Sequence, residues 1–136
     1  MRIIIERESV CMGDDCWAPH QRKYTLNDDA TYMDLYEATK KDNYLPTMTN
    51  AVWVLTNKQC KCIFSYFTRT GEIHMRLEEK SLKSICKDSE KFRFEYYSAP
   101  QRWKEHIYRM YNNDEQAMMK AGWCEEIKYC DFLMQP

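Results

Sequence analysis

The residues best suited to chemistry in this chain lie in one short stretch near its start. Cys11, Cys16 and His20 fall within ten residues, and Asp14 and Asp15 lie between the two cysteines. Two thiols and an imidazole can hold Zn²⁺ when a fourth ligand comes from elsewhere. Structural zinc sites, however, usually pair cysteines two to four residues apart on each of two arms, and the sequence has no second arm of that kind. A metal- or small-molecule-binding site at Cys11, Cys16 and His20 is therefore the alternative hypothesis, and the main interpretation includes no cofactor.

The same stretch also has the composition of a protein-binding surface. Asp14, Asp15 and Trp17 combine two carboxylates with a large aromatic ring, a mixture that is typical of interfaces. Asp28 and Asp29 add two further carboxylates a little later in the chain. These five residues form the predicted partner-binding site, and their charge favours a partner with a basic surface, bound more weakly at high salt. The competing interpretation is that Trp17 folds back onto the edge of a sheet.

A thiol enzyme would need a cysteine activated by a neighbouring base or by a helix N-terminus. The candidate bases are His20, His74 and His106. The sequence indicates no third residue to orient any of them, and it contains none of the motifs of the known thiol enzymes. His106 falls on the flank of a predicted helix and is interpreted as structural. We therefore expect a protein that is not an enzyme.

Composition limits the class of protein further. The chain has 136 residues, enough for one domain, and a formal net charge of −1, which argues against a nucleic-acid partner. It has no apolar run of the roughly 20 residues that a membrane span requires, and its charged start does not suit a secretory signal. The seven cysteines are interpreted as reduced thiols packed as small apolar side chains. These features predict a cytoplasmic protein without a membrane partner.

A meander of three strands over residues 51–77 is predicted to organise the fold, with turns at Asn57-Lys58 and Thr70-Gly71. This register pairs Leu55 with Cys60 in the first hairpin and Phe67 with His74 in the second. The predicted core face carries Ala51, Trp53, Leu55, Cys60, Cys62, Phe64, Tyr66, Ile73, Met75 and Leu77. The opposite face carries four apolar side chains that need cover from the C-terminal part of the chain, namely Val52, Val54, Ile63 and Phe67.

The elements before the meander are a strand over residues 2–10, a returning strand over residues 21–26, and a helix capped by Asp28 or Asp29 that ends near Lys41. Over residues 1–77 this order resembles a ubiquitin-like, β-grasp fold. The resemblance implies that the first strand pairs in parallel with a later strand in the middle of the sheet. It implies no activity, because the fold hosts many functions.

The remaining residues, 78–136, are predicted to be an extension that packs on the sheet. The pattern indicates a short helix over residues 79–86, a strand over residues 92–97 and a helix opening at Pro100 with Trp103, Ile107, Met110 and Tyr111 buried. A further short helix ending at Gly122 and a last strand over residues 123–134 complete the chain. The predicted whole is one α+β domain, 1–136, with a β-grasp-like mixed sheet, one packed helix and a helix-rich C-terminal part. Its expected function is that of a non-catalytic protein-binding module, most concretely an inhibitor or immunity-type protein.

Overall fold

Six strands and three helices make up the described part of the chain in a computed structural model. The structure describes residues 2–7, 21–42, 44–45, 48–75, 89–110, 112–114, 116 and 127–134. The elements, in chain order, are β1 (Arg2–Arg7), β2 (Arg22–Thr25), α1 (Tyr32–Lys41), β3 (Val52–Thr56), β4 (Cys62–Phe67), β5 (Ile73–Met75), β6 (Ser89–Tyr97), α2 (Pro100–Met110) and α3 (Tyr129–Leu133). The fold is therefore a mixed α+β fold, as the sequence predicts.

The strands form one mixed sheet in the order β2-β1-β6-β3-β4-β5. β1 and β6 run parallel, with Ile5 opposite Phe92, and the other four pairs of strands are antiparallel. The prediction that the first strand pairs in parallel with a later strand inside the sheet is confirmed. That strand, β6, lies beyond residues 1–77, to which the β-grasp resemblance was assigned, so part of the predicted C-terminal extension is a central strand of the sheet. Ile3 and Ile5 are fully buried, because β1 lies between β2 and β6 inside the sheet.

The N-cap of helix α1 is Thr31, two or three residues after the predicted caps, and the helix begins at Tyr32. Thr31 Oγ1 accepts a hydrogen bond from the Asp34 amide at 3.3 Å, and Asp34 Oδ2 accepts one from the Thr31 amide at 2.9 Å. This reciprocal pair satisfies two backbone donors at once, so the predicted cap at Asp28 or Asp29 is wrong. The predicted end of the helix at Lys41 is confirmed.

Each face of the sheet has its own hydrophobic core. The first core lies under α1, where Leu35 and Tyr36 pack against Trp53, Phe64 and Phe94. The second core lies on the opposite face, where α2 and the segment 127–134 cover β3 and β4. Its buried members are Val52, Val54, Cys62, Phe67, Trp103, Ile107, Ile127, Tyr129 and Phe132. The prediction that the C-terminal part covers Val52, Val54 and Phe67 is thus confirmed.

The predicted register of the first hairpin is wrong. Leu55 lies opposite Phe64, and an irregularity between Leu55 and Thr56 places Thr56 opposite Cys62. The turn is longer than two residues because the Asn57 side chain accepts hydrogen bonds from the amides of Gln59 and Lys61, at 2.9 and 3.0 Å. An asparagine side chain that accepts backbone hydrogen bonds in this way can build a turn by itself. The hairpin therefore has a longer loop than the two residues predicted.

This irregularity also exchanges two side chains between the faces of the sheet. Cys62 lies in the second core and Ile63 in the first, the reverse of the prediction, whereas Trp53, Leu55 and Phe64 lie on the predicted face. A bulge adds one residue to a strand and so reverses the alternation beyond it. In the second hairpin Ser65, not Phe67, lies opposite His74, because Phe67 bonds instead to the Glu72 carbonyl in a longer turn.

The C-terminal part is more helical than predicted where the structure describes it. Residues 129–133 form helix α3 instead of a strand, and the strand pairing there is a single bridge between Lys61 and Lys128. Helical spacing brings Tyr129 and Phe132 to the same core beside Trp103, at centroid distances of 5.3 and 5.0 Å from its ring. Met110 is 57% exposed, so its predicted burial is wrong. The predicted helix over residues 79–86 and most of the one ending at Gly122 lie outside the described residues.

The hydrogen bond between Trp103 and Ser65 yields a test of how the second core is held. Trp103 Nε1 donates to Ser65 Oγ at 2.8 Å, and both residues are fully buried. Ser65→Ala leaves the indole N–H without this acceptor, and we expect a loss of about 1–3 kcal/mol in the free energy of unfolding, measured with urea. The control is Ser98→Ala at an exposed bend, where we expect a change within about 0.5 kcal/mol. Equal stability of the two variants would contradict this assignment.

Candidate partner-binding surface

The predicted site residues are divided between described and undescribed parts of the chain. Asp28 and Asp29 lie in the turn between β2 and α1, and both are exposed. The other predicted site residues lie outside the described residues, both for partner binding (Asp14, Asp15, Trp17) and for the alternative metal site (Cys11, Cys16, His20). Both uses of that loop therefore stay predictions from the sequence.

The topology places Asp28 and Asp29 away from the points where that loop joins the sheet. The antiparallel register sets Arg2 opposite Thr25 and Ile5 opposite Arg22. The loop is therefore flanked by Arg7 and Arg22, whereas Asp28 follows the other end of β2. These two ends of β2 lie roughly 10 Å apart at the usual rise per residue. The described residues thus bring Asp28 and Asp29 next to the start of α1 instead.

An acidic surface with an apolar residue within it forms around the first half of α1. Asp28, Asp29, Met33, Asp34 and Glu37 are all exposed, and we call them the acidic α1 surface. Met33 is 39% exposed and lies one helical turn before Glu37. The last turn of the helix carries Lys40 and Lys41, so the charge changes sign along its exposed side. Sequence reasoning missed Met33, although its position outside the apolar stripe of the helix was a usable signal.

Helix α1 is fixed at both ends, and this positions the acidic α1 surface. The capping pair of Thr31 and Asp34 closes its first turn. At the other end, Tyr24 Oη donates a hydrogen bond to Asp42 Oδ2 at 2.9 Å, and Arg22 Nε lies 3.4 Å from the same oxygen. Asp42 is the C-cap of the helix, so β2 contacts the helix where its hydrogen bonding ends. Met33, Asp34 and Glu37 therefore lie on a helix that is held at both ends, and Asp28 and Asp29 lie in the turn that leads into it.

Two tyrosines beside α1 have raised pKa values. Burial raises the pKa of Tyr24, and the Asp42 carboxylate, which accepts its hydrogen bond, raises it further. Burial also raises the pKa of Tyr44, against the partial opposing effect of Arg7, whose guanidinium lies 5.8 Å from the ring centroid. The Tyr44 hydroxyl donates to the Ile5 carbonyl at 3.2 Å. Both phenols are therefore neutral members of the junction between β1, β2 and the end of α1.

The described side chains with catalytic potential serve the packing of the second core. His106 is 4% exposed and stacks on Trp103 at a centroid distance of 5.7 Å, in agreement with its predicted structural role. The Cys62 thiol is fully buried and lies 3.5 Å from Ser65 Oγ. Cys60 is different: it forms a disulfide with Cys130, so its interpretation as a reduced thiol on the core face is wrong. The sequence could not indicate this pair, because the two cysteines are 70 residues apart.

A groove of about 280 Å³ lies at the end of the sheet beside the β3–β4 turn. Its lining includes Lys58, Lys91 and Arg93 as well as Glu6 and Glu95. Lys91 pairs with Glu6 and Arg93 with Glu95, each at 2.9 Å. These ion pairs leave the groove without a dominant charge. The groove therefore indicates the charge of a ligand less clearly than the acidic α1 surface does.

Within the described ranges, no three side chains among His, Cys, Asp and Glu lie close enough to hold a metal ion together. None of the helices described here has the length and apolar character needed to cross a membrane. Comparisons with protein-family models, curated proteins and solved structures found no match to this chain.

The raised pKa of Tyr24 predicts a loss of stability in alkaline solution. The unfolded chain ionises its tyrosines near pH 10, below the folded pKa of Tyr24, so this contribution to stability is complete below that pH and is lost as the pH rises above it. We expect the free energy of unfolding to fall between about pH 9.5 and 11, the range in which the tyrosines of an unfolded chain ionise. The fall should be less steep in Tyr24→Phe. Urea unfolding across this range measures the slope.

Asp42→Asn is the matched variant for this pH dependence. It keeps the size of the side chain but removes the charge that helps to raise the pKa of Tyr24. The alkaline slope should therefore lie between those of the unmodified protein and of Tyr24→Phe. Equal slopes in Asp42→Asn and the unmodified protein would show that the Tyr24–Asp42 contact does not persist in solution. Three identical slopes would show that the pKa of Tyr24 is not raised.

Proposed function

We propose that this chain is a non-catalytic protein-binding module, most concretely an inhibitor or immunity-type protein, whose partner carries a basic surface. The observation that carries the proposal is the acidic α1 surface, where an exposed Met33 lies among four exposed carboxylates. An apolar contact ringed by charge is a common arrangement at protein interfaces. Carboxylates of one sign steer a basic partner during association and suppress acidic competitors.

The way α1 is held also supports a binding role. Association costs free energy whenever side chains or backbone must be ordered, and a helix fixed at both ends has already met part of that cost. Thr31 with Asp34 and Tyr24 with Asp42 provide the two attachments. A partner can therefore meet the acidic α1 surface in the geometry that it has in the unbound protein.

The fold proposed here is β-grasp-like, with additions at its C-terminal side. The order β2-β1-β6-β3-β4, the parallel pairing of β1 with β6 and the position of α1 between β2 and β3 support this proposal. Strand β5 and helices α2 and α3 would then be additions to the basic fold. The proposed function does not depend on it, since this kind of fold carries many unrelated functions.

The loop residues Asp14, Asp15 and Trp17 belong to the proposal as a second contact region. A cytoplasmic location is likewise proposed, with one condition set by the Cys60–Cys130 disulfide. Disulfides persist in oxidising compartments, and in the cytosol they are usually transient or catalytic. A cytoplasmic form of this protein would therefore spend part of its time with the pair reduced.

The binding proposal predicts a charge-dependent affinity for a partner captured with the immobilised protein and then purified. Asp28→Lys, Asp29→Lys and Glu37→Lys together should weaken binding by about 2 kcal/mol or more, roughly thirtyfold, because each places a like charge against the basic partner. Met33→Ala alone should weaken it several-fold. Calorimetry at two salt concentrations measures both effects, and the affinity of the unmodified protein should fall as salt rises.

The control uses the same helix. Lys40→Glu with Lys41→Glu also reverses charges, in the opposite sense and one or two turns away, and it should leave binding unchanged or strengthen it. Alanine at Asp14, Asp15 and Trp17 tests the loop separately. Undiminished affinity in the three-lysine variant would remove the acidic α1 surface from the interface.

A further inference from the structure

A single covalent bond joins the C-terminal segment to the turn between β3 and β4. The disulfide connects Cys60 to Cys130 with their Cα atoms 6.0 Å apart. Cys60 has a positive φ of 63°, and its amide donates to the Asn57 carbonyl at 2.9 Å. The bond thus lies where the chain is already turned sharply, and it draws α3 over the second core.

Backbone hydrogen bonds and side-chain packing also join this segment to the sheet. The described residues form two hydrogen bonds across the junction, from the Cys62 amide to the Ile127 carbonyl and from the Tyr129 amide to the Cys60 carbonyl, both 2.8 Å long. Ile127, Tyr129 and Phe132 add side-chain packing against the second core. Opening of this segment therefore requires the loss of that packing but not the unfolding of the whole sheet.

Electrostatics acts against the same junction. Among the described residues, Lys61 and Lys128 lie opposite each other in a bridge at this junction, and like charges opposite one another destabilise a strand pair. Lys58 lies exposed on the same turn and adds a third positive charge. The disulfide therefore spans a junction at which lysine side chains of like charge meet.

We propose that Cys60 and Cys130 form a reversible redox site. The oxidised site holds the segment 127–134 against the sheet, and the reduced site releases it. The reactant is a dithiol reductant. Its thiolate attacks the sulfur of Cys130, the more exposed partner, and the S–S bond breaks so that Cys60 leaves as a thiolate.

The second thiol of the reductant then completes the exchange. It attacks the mixed disulfide, Cys130 is released, and the reductant becomes a cyclic or internal disulfide. Two electrons and two protons pass in total from the dithiol to Cys60 and Cys130. Oxidation by a disulfide of the same class reverses these steps.

Reduction of the Cys60–Cys130 disulfide changes the cover of the second core and leaves α1 in place. The segment 127–134 covers Val52, Val54 and Trp103 in the second core, whereas α1 packs on the first core across the sheet. The redox site is thus independent of the proposed function, and a failure of one would leave the other standing.

Hydrogen exchange of the unmodified protein, with and without dithiothreitol, tests whether reduction of the Cys60–Cys130 disulfide releases the segment 127–134. On reduction the amides of Cys62 and Tyr129 should exchange at least tenfold faster, and their increase should exceed that of the Ile5 amide in β1. Alkylation followed by mass analysis verifies that Cys60 and Cys130 are oxidised before treatment and reduced after it. In Cys60→Ser with Cys130→Ser, dithiothreitol should have no effect on any of the three amides.

Three results would overturn the proposal. The first is alkylation of both cysteines in protein purified in air, without reductant. The second is unchanged exchange at Cys62 and Tyr129 after verified reduction. The third is an equal increase at Cys62, Tyr129 and Ile5, which would mean that the segment opens only when the whole domain unfolds.

Lys128→Glu tests the electrostatic part of the argument. It replaces the repulsion with an attraction to Lys61, so the reduced variant should exchange its Cys62 amide several-fold more slowly than the reduced unmodified protein. Lys40→Glu makes the same change on α1 and should have no such effect. Equal exchange in all three reduced proteins would show that Lys61 and Lys128 do not drive the opening.

Discussion

Burial of the central strands on both faces is the constraint on which this fold depends. Val52, Trp53, Val54 and Leu55 are all fully buried, with alternate side chains in the first and second cores. A strand buried on both faces needs a layer of structure on each side. Helix α1 provides one layer, and α2 with the segment 127–134 provides the other. Trp103 occupies the middle of the second layer, where it contacts His106, Tyr129 and Phe132 and donates its N–H to Ser65.

This constraint explains which parts of the fold the sequence could predict. Alternation placed Trp53, Leu55 and Phe64 in one core and Val52, Val54 and Phe67 in the other, because a strand presents successive side chains to opposite faces. The end of α1 near Lys41 followed from its basic last turn, whereas its start did not, because Thr31 and Asp34 cap it after the predicted aspartates. Periodicity fails where a side chain competes with the backbone. The carboxamide of Asn57 enlarged the turn, and the resulting irregularity moved Cys62 and Ile63 to the opposite faces.

Long-range pairing was the other part that sequence reasoning could not supply. Cys60 and Cys130 are 70 residues apart, and any two of seven cysteines could have been partners as far as spacing tells. Tyr129 and Phe132 are residue types that favour strands, and the sequence predicted a strand there. In the structure a helix forms instead, and its spacing brings both rings into contact with Trp103. For the candidate site, Asp28 and Asp29 were found from charge, whereas Met33 gained its meaning only once the exposed side of α1 was defined.

The two proposals occupy opposite faces of the same sheet, and this separation has a physical consequence. A change at the Cys60–Cys130 junction must pass through β3 and β4 to reach α1, and these strands are close-packed on both faces. Strand pairing of β3 with both β4 and β6 resists such a displacement, since ladder hydrogen bonds would have to break together. Reduction therefore alters the cover of the second core while the geometry of the acidic α1 surface is retained. Under the two proposals, the protein responds to redox conditions on one face and keeps its proposed binding surface unchanged on the other.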